Sequence, residues 1–119
     1  MQLYAYINDM KQNSYRQAAQ IYHLLSHPAR LRILDELRRS EACVCHLQTV
    51  LGRPQAYVSQ QLRVLREAKV VTPHKDGLLV YYRLADRGVE RLLEEVLGAA
   101  GQATRLPDCP CPKCTLYYL

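Results

Sequence analysis

Leu51-Gly52-Arg53-Pro54-Gln55-Ala56-Tyr57-Val58-Ser59-Gln60-Gln61-Leu62-Arg63-Val64-Leu65-Arg66-Glu67-Ala68 is the stretch that decides the fold. Gly52 is a helix-stop residue and Pro54 a helix-start residue, so two helices meet across a very short turn. Val58, Leu62 and Leu65 recur at helical spacing and form an inward face. Gln55, Tyr57, Ser59, Gln60, Arg63 and Arg66 are left to face outward or to flank a groove. Two helices joined in this way define a helix-turn-helix.

Downstream the period changes. Val70, Val71 and Thr72 are strand-like, Asp76-Gly77 is a hairpin turn signal, and Leu79 to Leu84 supplies the second strand. A last helix is expected from about Asp86 to Ala99, with Val89, Leu92, Leu93, Val96 and Leu97 on a wide apolar stripe. Upstream, Asn13 to Leu25 carries Ala18, Ile21, Tyr22 and Leu25 at helical spacing. Pro28 then opens a second helix bearing Leu31, Leu34 and Leu37. A third, short helix begins around Cys43 to Cys45 and carries Leu47, Val50 and Leu51. The expected fold is mainly α with a β-hairpin wing: a winged helix-turn-helix over residues 1–100, followed by an irregular Cys- and Pro-rich tail over 101–119.

At 119 residues and 49% hydrophobic content, the chain is one domain able to bury a core without disulfides. Its net charge is +5 and its pI about 9.1, which favours an anionic partner. Between Arg53 and Arg83 stand six basic and two acidic residues, so four of those five net charges fall on the recognition helix and wing. Gln and Arg make paired hydrogen bonds to adenine and guanine edges in the major groove, while Ser and Tyr hydroxyls suit phosphate. Gln55, Tyr57, Ser59, Gln60, Arg63 and Arg66, with Lys75 on the wing, are therefore the expected contacts to double-stranded operator DNA. The wing tip Asp76-Gly77-Leu78-Leu79 is not itself basic. Met1 to Arg16 contains no apolar stretch of signal-peptide length, and no run approaches the ~18 apolar residues that cross a bilayer, so a cytoplasmic location without a membrane partner is expected.

In that compartment thiols stay reduced, so the five cysteines speak for metal or redox chemistry. Burial as small hydrophobes is the bland alternative. Cys43 and Cys45 are two apart. In mid-helix that spacing turns ~200° and the thiols diverge; they converge if the helix starts there, with Cys43 at or before its cap. The positive end of a helix also favours thiolate, the form soft ions need. Two ligands do not complete a site for As(III), Sb(III), Cd(II), Pb(II) or Zn(II). Cys109, Cys111 and Cys114, in Cys-Pro-Cys-Pro-Lys-Cys, are the candidates to supply the rest. His46 adjoins Cys45 and is expected to point elsewhere. No nucleophile–base pair, phosphate loop or carboxylate pair points to an enzyme.

Three stretches carry a family resemblance. Glu41-Ala42-Cys43-Val44-Cys45-His46-Leu47 resembles the helix-opening motif of the ArsR/SmtB family. Val58 to Ala68 resembles its recognition helix, and Leu79-Val80-Tyr81-Tyr82-Arg83-Leu84 its second wing strand. The resemblance covers roughly Arg16 to Leu97. It implies a homodimeric repressor that leaves operator DNA when a metal or metalloid ion binds, with Cys43 and Cys45 as thiolate ligands. His46 stands where the family usually has an acidic residue, and Leu78-Leu79 where an arginine and an aromatic are commoner. Some members bind metal between paired final helices through an Asp-x-His motif and a later His. Here Asp86-Arg87-Gly88 opens that helix and no His follows, so its stripe is read as a dimer surface. A redox- or persulfide-sensing repressor of the same fold is the alternative reading, and a zinc-stabilised interaction module a further one.

Overall fold

The computed structural model describes the backbone of residues 2–102 and the side chains of residues 14–102. Its elements are α1 (Gln2–Leu25), α2 (Pro28–Arg39), β1 (Ala42–Cys43), α3 (Val44–Leu51), α4 (Gln55–Glu67), β2 (Val71–Asp76), β3 (Leu79–Leu84) and α5 (Arg87–Leu97). The expected mainly helical fold with a hairpin wing is present. The tail from residue 103 onward, with Cys109, Cys111 and Cys114, lies outside the described residues.

Most boundaries follow from local chemistry. Gly52 ends α3 in the left-handed region at φ 63°, where its amide donates to the Gln48 carbonyl. Asp86 caps α5 by accepting from the Val89 amide at 3.1 Å. Gly77, at φ 64°, turns the hairpin. Lys69 also has a positive φ, 63°, and takes the left-handed role after α4 that glycine usually fills.

Two elements differ from the sequence expectation. The first helix starts at Gln2, not near Asn13. Residues 2–12 hold no Gly or Pro, so nothing stops the helix from running back beyond its periodic part. The second difference is β1, which was not expected at all. It spans two residues and pairs antiparallel with β3, Ala42 opposite Tyr82 and Cys43 opposite Tyr81. The sheet order is β1-β3-β2, so the second wing strand is central.

Leu24, Ile33, Leu34, Leu37, Leu47, Val58, Leu62, Leu65, Val70, Val71, Val89 and Leu93 form one aliphatic core. Each such side chain contributes ~1.5–3 kcal/mol by leaving water. The core fastens α3 and α4 to α2 and to the root of the wing. On α5 the apolar stripe divides. Val89 and Leu93 pack into the core, while Val96 is 78% exposed and Leu97 47%. With Tyr22, Leu25, Leu31 and Leu92 these two line an apolar groove between α1, the start of α2 and α5.

Candidate functional site

The turn between α3 and α4 aims α4 outward. Pro54 is its cap residue, in extended conformation at φ −61° and ψ 154°. Val58, Leu62 and Leu65 bury one face. Gln55, Ser59, Gln60, Arg63 and Arg66 are all exposed, so five of the six expected helix contacts share the solvent side. Tyr57 is half-buried, with the Arg53 guanidinium 4.1 Å from its ring centroid. Arg63 pairs with Glu67 one turn on at 3.1 Å, both well exposed. A pair of this kind is worth ~0.3–0.5 kcal/mol, so it leaves Arg63 available to a stronger anion. Lys75 is exposed on β2. Beside it the His74 Nδ1 lies 3.3 Å from the Glu41 carboxylate, and Leu78 at the wing tip is wholly exposed.

Gln61 was not singled out by sequence, yet it is buried and its Oε1 accepts from Arg30 Nε at 2.9 Å. Helical spacing signals it: Gln61 lies three residues after Val58 and four before Leu65. This bond ties α4 to α2.

The two thiols converge at the start of α3. Cys43 is the last residue of β1 and also the cap of α3. Its φ of −83° and ψ of 168° are extended, and the His46 amide donates to its Sγ at 3.4 Å. Cys45 sits in the first turn, and the Sγ atoms of Cys43 and Cys45 lie 2.6 Å apart. The His46 amide at the start of α3 therefore faces the Cys43 sulfur, an arrangement that favours thiolate there. Cys43 and Tyr81 are both buried and pack together, with Cys45 and Leu79 against them. The thiols are thus packed directly against the central wing strand.

His46 is buried and turns to α2, its Nε2 3.2 Å from Glu36 Oε2. Glu36 and its neighbour Asp35 are buried carboxylates met by Arg32, Arg38 and Arg39. Sequence reasoning missed this cluster. The signal was the run of acids and arginines three and four apart in Arg32 to Arg39. Among the described residues no group of three or more His, Cys, Asp or Glu side chains is placed to hold a metal ion. Cys43 and Cys45 are soft donors whose sulfurs converge, and by donor type they are the described residues that could hold a soft ion.

A helix-turn-helix with an exposed polar second helix and an adjoining antiparallel wing defines a winged helix-turn-helix domain. Residues 27–72 match the model of the bacterial regulatory protein family called arsR. The chain is 41% identical over 81 residues to a transcriptional repressor SmtB homolog of Synechocystis, covering 68% of this chain and 61% of that protein. It is 33% identical over 104 residues to the arsenical resistance operon repressor of Bacillus subtilis, covering 87% of this chain and 99% of the relative. The homodimeric winged helix-turn-helix DNA-binding domain Mb0332 from Mycobacterium bovis superposes with a TM-score of 0.68 at 31% identity, over 75% of this chain and 82% of that one. The chain belongs to the arsR family. These relatives are transcriptional regulators, and no helix among the described residues is long and apolar enough to cross a membrane.

Proposed function

We propose that this chain is a homodimeric transcriptional repressor that binds double-stranded operator DNA and releases it when a thiophilic metal or metalloid ion binds its cysteine thiolates. The observation that carries the reading is the convergence of Cys43 and Cys45 at the start of α3, one helix before the DNA-facing α4. An ion bound there supplies a positive centre that holds the sulfurs as thiolates. The chain does the rest. Cys43 belongs at once to β1, which pairs with the wing, and to the cap of α3, which packs on α4 through Leu47. A shift of the sulfurs therefore alters the angle between recognition helix and wing.

The arsenical resistance operon repressor of Bacillus subtilis supports an arsenical such as As(III) as ligand; Sb(III), Cd(II), Pb(II) and Zn(II) are the other ions that thiolate donors suit. At least one of Cys109, Cys111 and Cys114 completes the ligand set in this reading, with residues 1–100 as the DNA-binding and dimerisation domain and 101–119 as the tail. The groove lined by Leu92, Val96 and Leu97 serves as the dimer surface, consistent with the homodimeric relative. A two-fold axis then places two α4 helices on successive turns of DNA.

The 2.6 Å between the sulfurs favours a second reading, in which an oxidant such as a peroxide takes two electrons and two protons from the pair to make a disulfide. Operator-release titration of the reduced protein with As(III), Sb(III), Cd(II), Pb(II) and Zn(II) separates the two. Release at stoichiometric ion under reducing conditions supports the metal reading. Release by oxidant alone, with no ion effective, overturns it.

DNA binding itself is expected to weaken steeply with salt, log K falling by ~0.9 for each phosphate neutralised per unit of log salt. Arg63→Ala is expected to cost ~1–3 kcal/mol on the cognate operator if its guanidinium reads a guanine. Competition assays against random DNA check this: equal loss on both sequences makes Arg63 a phosphate contact instead.

A further inference from the structure

We infer that the buried ion cluster of α2 is a relay joining the thiol end of α3 to the C-terminal end of α5, with Arg38 and Asp35 as its positioning residues. The inference rests on the metal-sensing reading above and extends it to a part of the molecule remote from α4.

The links form an unbroken series. The Cys43 Sγ accepts from the His46 amide at 3.4 Å. The His46 ring is 3.2 Å from Glu36 Oε2, and Glu36 Oε1 is 3.3 Å from Arg39 Nη1. Arg39 Nη2 reaches Asp35 Oδ2 at 2.9 Å. Asp35 Oδ1 accepts from Arg38 Nε at 2.8 Å, and Arg38 Nη1 donates to the Gly98 carbonyl at 2.6 Å. Gly98 is the cap residue at the C-terminal end of α5.

Three features make this more than a string of surface pairs. The Glu36 side chain is 1% exposed and that of Arg38 3%, with Asp35 at 12% and Arg39 at 21%, so the links about Glu36 are the ones shielded from water. There, a member that moves must carry its partners along or leave a buried charge unpaired. The Arg38 guanidinium is planar and rigid, so the positions of Asp35 and Gly98 are linked through one group. The donor to Gly98 also answers a helix-end carbonyl that has no partner within its own helix, which fixes the end of α5.

The end of α5 matters because two things depend on it. It carries Val96 and Leu97, the exposed half of the proposed dimer surface. It is also where the chain departs toward Cys109, Cys111 and Cys114. A displacement at Cys43 therefore reaches the dimer helix and the root of the tail through α2, independently of α4. By reciprocity, seating of the dimer helix feeds back on the affinity of the thiol site.

The test uses the full-length reduced protein with Cd(II). Operator dissociation constants are measured with and without saturating Cd(II), Cd(II) affinity is read from thiolate-to-metal absorption, and amide exchange is followed at Glu94 to Gly98. The wild type is expected to show an operator affinity ratio of at least about fivefold, with altered exchange at Glu94 to Gly98. Arg38→Met and Asp35→Asn are each expected to lose about 2–30-fold of that ratio while metal-free operator affinity stays at the wild-type value. A merely structural role predicts the opposite: weaker metal-free binding and a lower melting temperature at an unchanged ratio. An unchanged ratio in both variants overturns the relay. So does wild-type exchange at Glu94 to Gly98 that ignores Cd(II), a measurement that needs no variant. A wild type that binds no Cd(II), or stays on DNA when loaded, overturns the sensor reading and the relay with it. The sensor reading survives alone if only the variants and the exchange fail.

Discussion

Cys43→Ser is expected to leave the protein folded and bound to its operator, and to abolish ion-driven release. Serine is a better helix cap than cysteine, and its oxygen takes over the bond from the His46 amide that the Cys43 sulfur now accepts. The extended backbone of Cys43 and its pairing with Tyr81 are open to serine as well. What serine lacks is a soft, readily ionised donor, so the substitution removes ligation and little else. Cys45→Ser acts in the same way from the first turn of α3, where the side chain is only half-buried. A sensor couples its ion to DNA by typically ~1–3 kcal/mol, so losing the site removes a ~5–150-fold difference in operator affinity. Fluorescence anisotropy of labelled operator, with and without ion, measures it directly. If both variants are still released at the wild-type ion concentration, the inducer site lies elsewhere.

That argument depends on a junction only part of which was legible in the sequence. The condition that Cys43 stand at the cap of α3 follows from helix geometry, and the structure meets it. The strand β1 could not be read in advance. Two residues are too short for any alternation to appear, and their pairing with Tyr81 and Tyr82 is set by the far side of the chain. Yet this strand is what attaches the thiols to the wing. The strong local signals translated well: Gly52, Pro54, Asp76-Gly77 and Asp86 each mark the element boundary their chemistry demands.

Polar residues in the core were the harder part. Glu36 and His46 are ten positions apart and belong to different helices, so no periodicity connects them. Asp35 and Glu36 occupy buried positions that a pattern of apolar spacing assigns to leucine or isoleucine. Only the arginines on either side of them hint that their charge is compensated. On α5 the sequence alone presents one apolar surface. The structure divides it between the core, through Val89 and Leu93, and solvent, through Val96 and Leu97, and only the latter half remains for a partner.

Truncation after Leu106 is expected to have an effect as large as losing Cys43. Two thiolates do not satisfy a three- or four-coordinate soft ion, and among the described residues no group of three or more His, Cys, Asp or Glu side chains is placed to hold a metal ion. Cys109, Cys111 and Cys114 are the remaining thiols in the chain. The eight residues from Gly101 to Cys109 reach ~26 Å when extended, enough to return over this domain or to cross a two-fold axis to its copy. A tail that chelated by itself would bind ions without any lever on α3 or the wing, and regulation needs that lever. A shared site instead joins tail closure to the position of α3. The truncated protein is then expected to keep its operator affinity, since α4 and the wing are intact, and to lose both thiolate-to-metal absorption at Cys43 and Cys45 and release from DNA. Mixing full-length protein bearing Cys43→Ser and Cys45→Ser with truncated wild-type protein tells where the tail closes. Recovery of absorption in the mixed dimer means the tail reaches across the axis, and its absence means closure within one chain. Should the truncated protein alone respond at the unaltered ion concentration, the tail is accessory and the shared site is wrong.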